Sequence, residues 1–347
     1  MQYRSTDSKN IINILSKLAI LPIIALIILL SIKFKIVINM RTLSNFSVIF
    51  TSIILEALPF IFIGSLISSL IQLFVSEETL AKILPKNKLL ALMAASVVGI
   101  FLPICECAII PIAKRLIKKG VPVGVATTFM LATPIINPVV ILSTYYAFSN
   151  NIQFLFLRVL GGIIAAIIIG FIVSTLDKNK DEVLKSTDYD FDDDLCLCGT
   201  SHNYSEKKSK ISTLFDTVGS EFLDVSKYVI FGAMLSAIFQ VLVSRDSLNY
   251  LGNNSLLSVV AMMSLAFLLS ICSEADAFIA STFVGQFTNG SIIAFLIFGP
   301  MLDIKNTLML IGAFKKRYIL LLLVSICVIC YLIGSSINII EIVRFFK

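Results

Sequence analysis

Two stretches of the chain place carboxylates and thiols where nearly every neighbour is apolar. LPICECAIIP, residues 102–111, holds Cys105, Glu106 and Cys107 between Pro103 and Pro111; SICSEADAF, residues 270–278, holds Cys272, Glu274 and Asp276. A carboxylate near a membrane midplane can take up and release a proton or a cation, and inserting one costs roughly 2.5–3.5 kcal/mol. Several of them together therefore imply a use. Cysteine sulfurs are soft ligands that suit a thiophilic metal. Proline lacks the backbone donor and disrupts a helix, so Pro103 and Pro111 predict a break with free carbonyls around Glu106. Irregular backbone of that kind is tolerated at membrane depth only where it is buried in protein or lines a cavity.

A second pair of clusters follows. MLATPIINPVV, residues 130–140, sets Pro134 and Pro138 around Asn137, and FGPMLDIKNTLM, residues 298–309, carries Pro300, Asp303, Lys305 and Asn306. Asp303 and Lys305 either neutralise each other or each pairs with a carboxylate from the other half. Plainer readings exist for all of these: packing kinks for the prolines, small apolar side chains for Cys107, Cys327 and Cys330, and a structural ion pair for the carboxylates. Matching clusters at matching repeat positions favour a functional reading for Glu106 and Glu274. Cys196, Cys198 and His202, which is the one histidine in the sequence, stand beside Asp192–Asp194. They offer ligand types for a soft divalent metal, but a solvated acidic loop with incidental thiols is the simpler account and the one preferred.

The elements that must hold these groups are membrane helices. Of the 347 residues, 57% are hydrophobic and 14% charged, against roughly 25% charged in a soluble domain, and mean hydropathy is +0.96. Apolar runs approaching or exceeding the about 17–25 residues of a bilayer span lie at Leu15–Ser31, Val48–Val75, Leu89–Leu102, Val121–Phe148, Ile152–Leu176, Val225–Val243, Leu256–Ile271, Ser291–Phe314 and Tyr318–Ile337. The first lacks a small-residue cleavage site and is followed by Lys33 and Lys35, so it reads as a membrane helix. Net charge is +6, mostly loop lysine and arginine that orient the chain, with no indication of nucleic acid. Seven cysteines, an odd number, five of them in or beside apolar runs, argue against a secreted disulfide framework. No G-x-x-x-x-G-K-[ST], H-E-x-x-H or G-x-S-x-G motif is present, so neither ATP hydrolysis nor an intramembrane hydrolase is supported, and no cofactor is expected.

A polar segment divides the chain into related halves. Shifting one half by 168 positions places Gly64 on Gly232, Ser68 on Ser236, Gln72 on Gln240 and Glu106 on Glu274, and a shift of 166 places Pro134 on Pro300 and Asn137 on Asp303. The expected organisation is an extra N-terminal transmembrane helix at 1–45, a first repeat at 46–176, a cytoplasmic polar linker at 177–212 and a second repeat at 213–347. With a cytoplasmic N-terminus, and the short segments after the cysteines returning the chain, one side collects Arg4, Lys9, Lys17, Lys82, Lys86, Lys88, Lys114, Arg115, Lys118, Lys119, six linker lysines, Lys315, Lys316 and Arg317. The other side holds Lys33, Lys35, Arg41, Arg245, Arg344 and Lys347. That positive-inside bias gives each half an odd number of crossings and predicts inverted repeats, a construction of many secondary transporters.

Residues 103–148, beginning PICECAIIPIAKRLIKKG, together with CSEADAFIASTF at 272–283 and FGPMLDIKNTLML at 298–310, resemble the bacterial predicted-permease family that includes the organoarsenical permeases. The resemblance spans roughly Phe46 to Ile337. It implies a multi-pass plasma-membrane permease, relatives that export trivalent methylated or aromatic arsenicals, and a smaller membrane protein as a possible companion. Carried over by motif, it marks Cys105, Glu106, Cys107, Pro134, Asn137, Pro138, Cys272, Glu274, Asp276, Asp303 and Asn306. The expectation is an all-α polytopic membrane protein with two inverted repeats and broken or re-entrant helices. It would move a small solute or ion, its glutamates carrying the coupling proton or cation and Cys105 and Cys272 acting as soft ligands. A divalent-metal permease and a non-transporting subunit that anchors a partner are the alternatives.

Overall fold

The computed structural model describes residues 40–74, 85, 87–101, 104–149, 151–176, 183–185, 210–242 and 255–345. The expected helix at Leu15–Ser31, the role of Pro103 and the linker ligands Cys196, Cys198 and His202 lie outside the described residues. The chain divides into Met1–Val48 and Ile49–Lys347; of the first unit, the described part is the opening turns of a long helix. Among the described residues there are twelve α-helices and no strand: α1 Met40–Phe74, α2 Lys88–Val98, α3 Glu106–Lys118, α4 Val123–Ile136, α5 Pro138–Ala147, α6 Ile152–Leu176, α7 Lys210–Leu242, α8 Ser255–Leu269, α9 Asp276–Ser281, α10 Asn289–Met301, α11 Ile304–Ala313 and α12 Lys316–Phe345.

The order long, short, short, short, short, long occurs twice, α1–α6 and α7–α12. The two sets also pack alike: α4 lies against α2 and α6, and α10 lies against α8 and α12. Small residues make the equivalent crossings possible. A Cβ added at Gly124 of α4 would meet the Gly170 carbonyl of α6, and one at Gly290 of α10 would meet the Gly334 carbonyl of α12. Such close backbone approach is how membrane helices associate without a hydrophobic driving force between them. Between the sets the contacts are reciprocal, α3 with α11 and α5 with α9, while α4 meets α10 and α6 meets α12.

The direction of the equivalent helices can be followed through named contacts. Thr128 of α4 donates to the Ala166 carbonyl of α6 at 3.2 Å, and its neighbour Thr127 shares a 2.9 Å hydrogen bond with Tyr318 at the start of α12. Gly161, nearer the start of α6, faces Ile333, late in α12. The start of α12 therefore lies toward the Ala166–Gly170 part of α6 and a later part of α12 lies beside Gly161, so the two run antiparallel.

Outward faces carry large apolar side chains at helical spacing, such as Leu320, Val324, Val328 and Leu332 on α12 and Leu160, Ile164 and Phe171 on α6. In water so large an apolar surface would be an association site; here it matches bilayer hydrocarbon. Among the described residues, five helical stretches can span a membrane by length and composition, with α10–α11 counted as one at Asn289–Ala313. A sixth is obtained if α4 and α5, bent by 41°, form one broken span.

The prolines correct the sequence reading. Pro111 lies inside α3, Pro134 inside α4 and Pro300 inside α10, so none ends its helix. Each removes one intrahelical donor, a loss that buried membrane helices tolerate. The breaks fall where a side chain caps the next helix. Asn137 accepts from the Val139 amide at 3.0 Å, with Pro138 pre-set for the first helical position, and Asp303 accepts from the Asn306 amide at 2.6 Å. Asn137 and Asp303, aligned at the shift of 166, thus both cap the helix that follows.

Candidate functional site

Helix starts position the carboxylates. Glu106 is the first residue of α3 and Asp276 the first of α9, each placed where the positive end of a helix favours an anion. This register pairs Glu106 with Asp276, two residues beyond the Glu274 that the sequence shift selects, because the chain entering α9 makes an additional turn at residues 273–275. Both Glu106 and Asp276 are buried, and each is bonded by the other half.

Glu106 accepts from the Ser273 hydroxyl through Oε2 at 3.1 Å, and its Oε1 lies 3.9 Å from Lys305 Nζ. The same ammonium stands 3.7 Å from Asp303 Oδ2, which also accepts from Ser270 Oγ at 2.6 Å. Both sequence-level options for Lys305 hold at once: it bridges the aspartate two residues away and a glutamate of the other half. Ser270 takes a positive φ of 47°, a conformation rare for a side-chain-bearing residue; it is the first residue after α8 and the first of SICSEADAF. Asp276 Oδ2 is 2.7 Å from Arg158 Nη2. That guanidinium, buried on α6, also donates to the Ser273 carbonyl at 3.2 Å and to Thr144 Oγ1 at 2.8 Å. Ser273 thereby joins two buried ion pairs into one network across the halves.

Three buried carboxylates, Glu106, Asp276 and Asp303, face two buried cations, Arg158 and Lys305. The surplus of one negative charge in a low-dielectric setting demands a further positive partner. A proton or a cation can supply it. Glu106 Oε1, Asp276 Oδ1 and Asn306 Oδ1 are buried without a hydrogen-bond partner among the described residues, which leaves acceptors for it.

The thiols gather beside this network. Cys105, Cys107 and Cys272 are all buried, and Cys272 groups with Glu56 and Glu274, the three ligand atoms lying within 4.8 Å of one another. Glu274, half-buried, belongs to this thiol side. Pro134 and Pro138 flank the α4–α5 break. Asn137 is buried, with its amide nitrogen unpartnered among the described residues. Arg158, Ser270, Ser273 and Thr144 escape the sequence reading. A lone arginine inside the apolar run 152–176 is the signal that finds the first of them; serines and threonines carry none, because they satisfy themselves within membrane helices as a rule.

A multi-pass α-helical membrane protein with a buried, charged, thiol-bearing centre between two similarly built halves is the class that this geometry defines. The chain belongs to the family described as "Predicted permease", whose model matches residues 42–339. It is 46% identical over 286 residues to the UPF0718 protein YcgR of Bacillus subtilis, covering 81% of this chain and 92% of that protein. It is 39% identical over 274 residues to a Streptococcus mutans protein described as a candidate subunit of a two-component membrane permease complex, covering 78% and 88%. No solved structure matches.

Proposed function

We propose that the protein is a secondary permease of two inverted halves that moves a small thiophilic solute, a trivalent organoarsenical, through the Glu106–Lys305–Asp303 centre, with Glu106 carrying the coupling proton or cation. The single observation that supports it most is the charge count, three buried carboxylates against two buried cations across the interface of the halves. Inversion is supported by the antiparallel packing of α6 and α12, traced by Thr127–Tyr318 and Gly161–Ile333. Alternating access then consists of one half rocking against the other, which exchanges the cross-half contacts of Glu106 and Asp276 for others. Cys105 and Cys272 are the soft ligands of the solute, since trivalent arsenic, like soft metals, prefers sulfur. The relative described as a complex subunit supports a second membrane component as companion.

A second reading rests on a specific grouping. Glu56, Cys272 and Glu274 present one sulfur and two carboxylates at mutual distances that suit a divalent metal, and a metal permease would use them. Accumulation of a panel of trivalent arsenicals and divalent metals, compared in cells with and without the gene, separates the two. The expected result is lower retention of the organoarsenicals in expressing cells. Cys105→Ser with Cys272→Ser should abolish at least ~90% of that difference. Unchanged arsenical retention with an altered content of one divalent metal makes the second reading the correct one.

A further inference from the structure

Two cavities adjoin along α3. One is a small cavity lined by Glu106, Ile110, Met130, Pro300, Asn306 and Leu310. The other is a wider cleft whose walls include Ile110, Lys114, Arg115, Glu221, Tyr228 and Met309. Ile110 lines both, and Glu106, Ile110 and Lys114 stand at four-residue steps on one face of α3. The stretch from Glu106 to Arg115 covers about 13 Å of helix axis. Ala313, at the end of α11, lines the cleft and accepts from the Lys185 amide of the linker at 3.2 Å. The cleft therefore opens on the face where linker residues 183–185 lie.

Unpartnered oxygens mark this route. Glu106 Oε1 and Asn306 Oδ1 belong to residues lining the inner cavity, and Glu221 Oε2 to one lining the cleft; all three are buried without a hydrogen-bond partner among the described residues. Buried acceptors of this kind call for donors. At its other oxygen Glu221 is held entirely by the other half, from Ser68 Oγ at 3.0 Å and Arg115 Nε at 3.3 Å. This repeats the pattern at Glu106, which takes Ser273 and Lys305 from the half it does not belong to. The other charged groups facing Glu221 are Lys114 from α3 and, along α7 in the same cleft, Asp224 and Lys227, paired with each other at 2.7 Å.

We propose that the cleft and the inner cavity form one access path from the linker face to Glu106. Its ligand is a small solute bearing O–H or N–H donors, hydronium included, and the Arg115–Glu221 pair is the cross-half latch in its outer cleft. The path rests on the reading of Glu106 as the transport centre. Because the latch ties α3 to α7, any rocking of the halves strains it, and its opening links access to the same motion that remakes the contacts of Glu106.

Thiol labelling tests this without transport. In the purified full-length chain, Ile110→Cys is exposed to a water-soluble maleimide, with Ser220→Cys, on the exposed outer wall of the cleft, as the control. The path predicts slow labelling at position 110 that rises at least ~10-fold with Glu221→Gln or Arg115→Gln, while position 220 is unchanged. The charge-swapped pair Arg115→Glu with Glu221→Arg should return position 110 to the slow rate. A rate at 110 indifferent to both single changes overturns the proposal. So do equal increases at 110 and 220, which report loosened structure, and a swapped pair that stays fast. These outcomes leave the role of Glu106 in coupling to be judged by flux alone.

Discussion

Replacing Arg158 by Met is expected to lower the unfolding free energy by about 3–5 kcal/mol, the usual consequence of stripping one partner from a buried ion pair. Arg158 is buried and answers three acceptors, Asp276 at 2.7 Å, the Ser273 carbonyl at 3.2 Å and Thr144 at 2.8 Å. Methionine fills much of the volume but leaves Asp276 with no cation and takes the Arg158 donor from the Ser273 carbonyl. The double variant Arg158→Met with Asp276→Leu should recover most of the loss, because an apolar pair replaces a buried charged one at little cost. Thermal unfolding in detergent checks both. Equal melting temperatures for wild type and Arg158→Met would show that the pair holds nothing together. Transport by the double variant is expected to stay low, since Ser273 also positions Glu106.

The largest functional effect should come from Lys305. It is buried between Glu106 at 3.9 Å and Asp303 at 3.7 Å, so Lys305→Met leaves two carboxylates facing each other with no cation between them. Transport is expected to fall at least ~100-fold. Adding Asp303→Asn removes one of the two charges and should restore the melting temperature to within a few degrees without restoring flux. Were the double variant to transport at the wild-type rate, Lys305 would be only a structural counter-ion to Asp303. Lys305→Arg is a sharper probe: the planar guanidinium keeps the charge but not the compact geometry, and partial flux is expected.

Much of this architecture is legible in the amino-acid sequence. Hydropathy and the positions of polar residues within apolar runs anticipate the helices, because in a bilayer each buried polar group must be satisfied and few positions allow one; that Asn137 and Asp303 cap the breaks emerges only from the structure. The prolines mislead. A missing donor disrupts an isolated helix, yet Pro111, Pro134 and Pro300 sit inside helices, where packed neighbours stabilise the turn. The shift that aligns Glu106 with Glu274 is offset by the turn at 273–275, so the helix-start equivalent is Asp276. Partners are the hardest to foresee. Nothing local marks Ser273 as the junction of two ion pairs, and the reach of Arg158 from α6 to α9 is set by tertiary packing alone. Gly124 falls on Gly290 at the shift of 166, but Gly170 reaches Gly334 only at 164, so the equivalence of the two crossings emerges only from which helices meet.

Flux in proteoliposomes bears on the coupling role of Glu106 without intermediaries. Purified wild-type chain and Glu106→Gln are reconstituted with an imposed pH gradient, and movement of a trivalent organoarsenical is followed in both. Glutamine keeps the size and the acceptor for Ser273 but cannot exchange a proton or pair with Lys305. If Glu106 carries the coupling ion, gradient-driven flux is present in the wild type and drops at least ~10-fold in Glu106→Gln; gradient-driven flux in Glu106→Gln equal to that of the wild type would contradict that role.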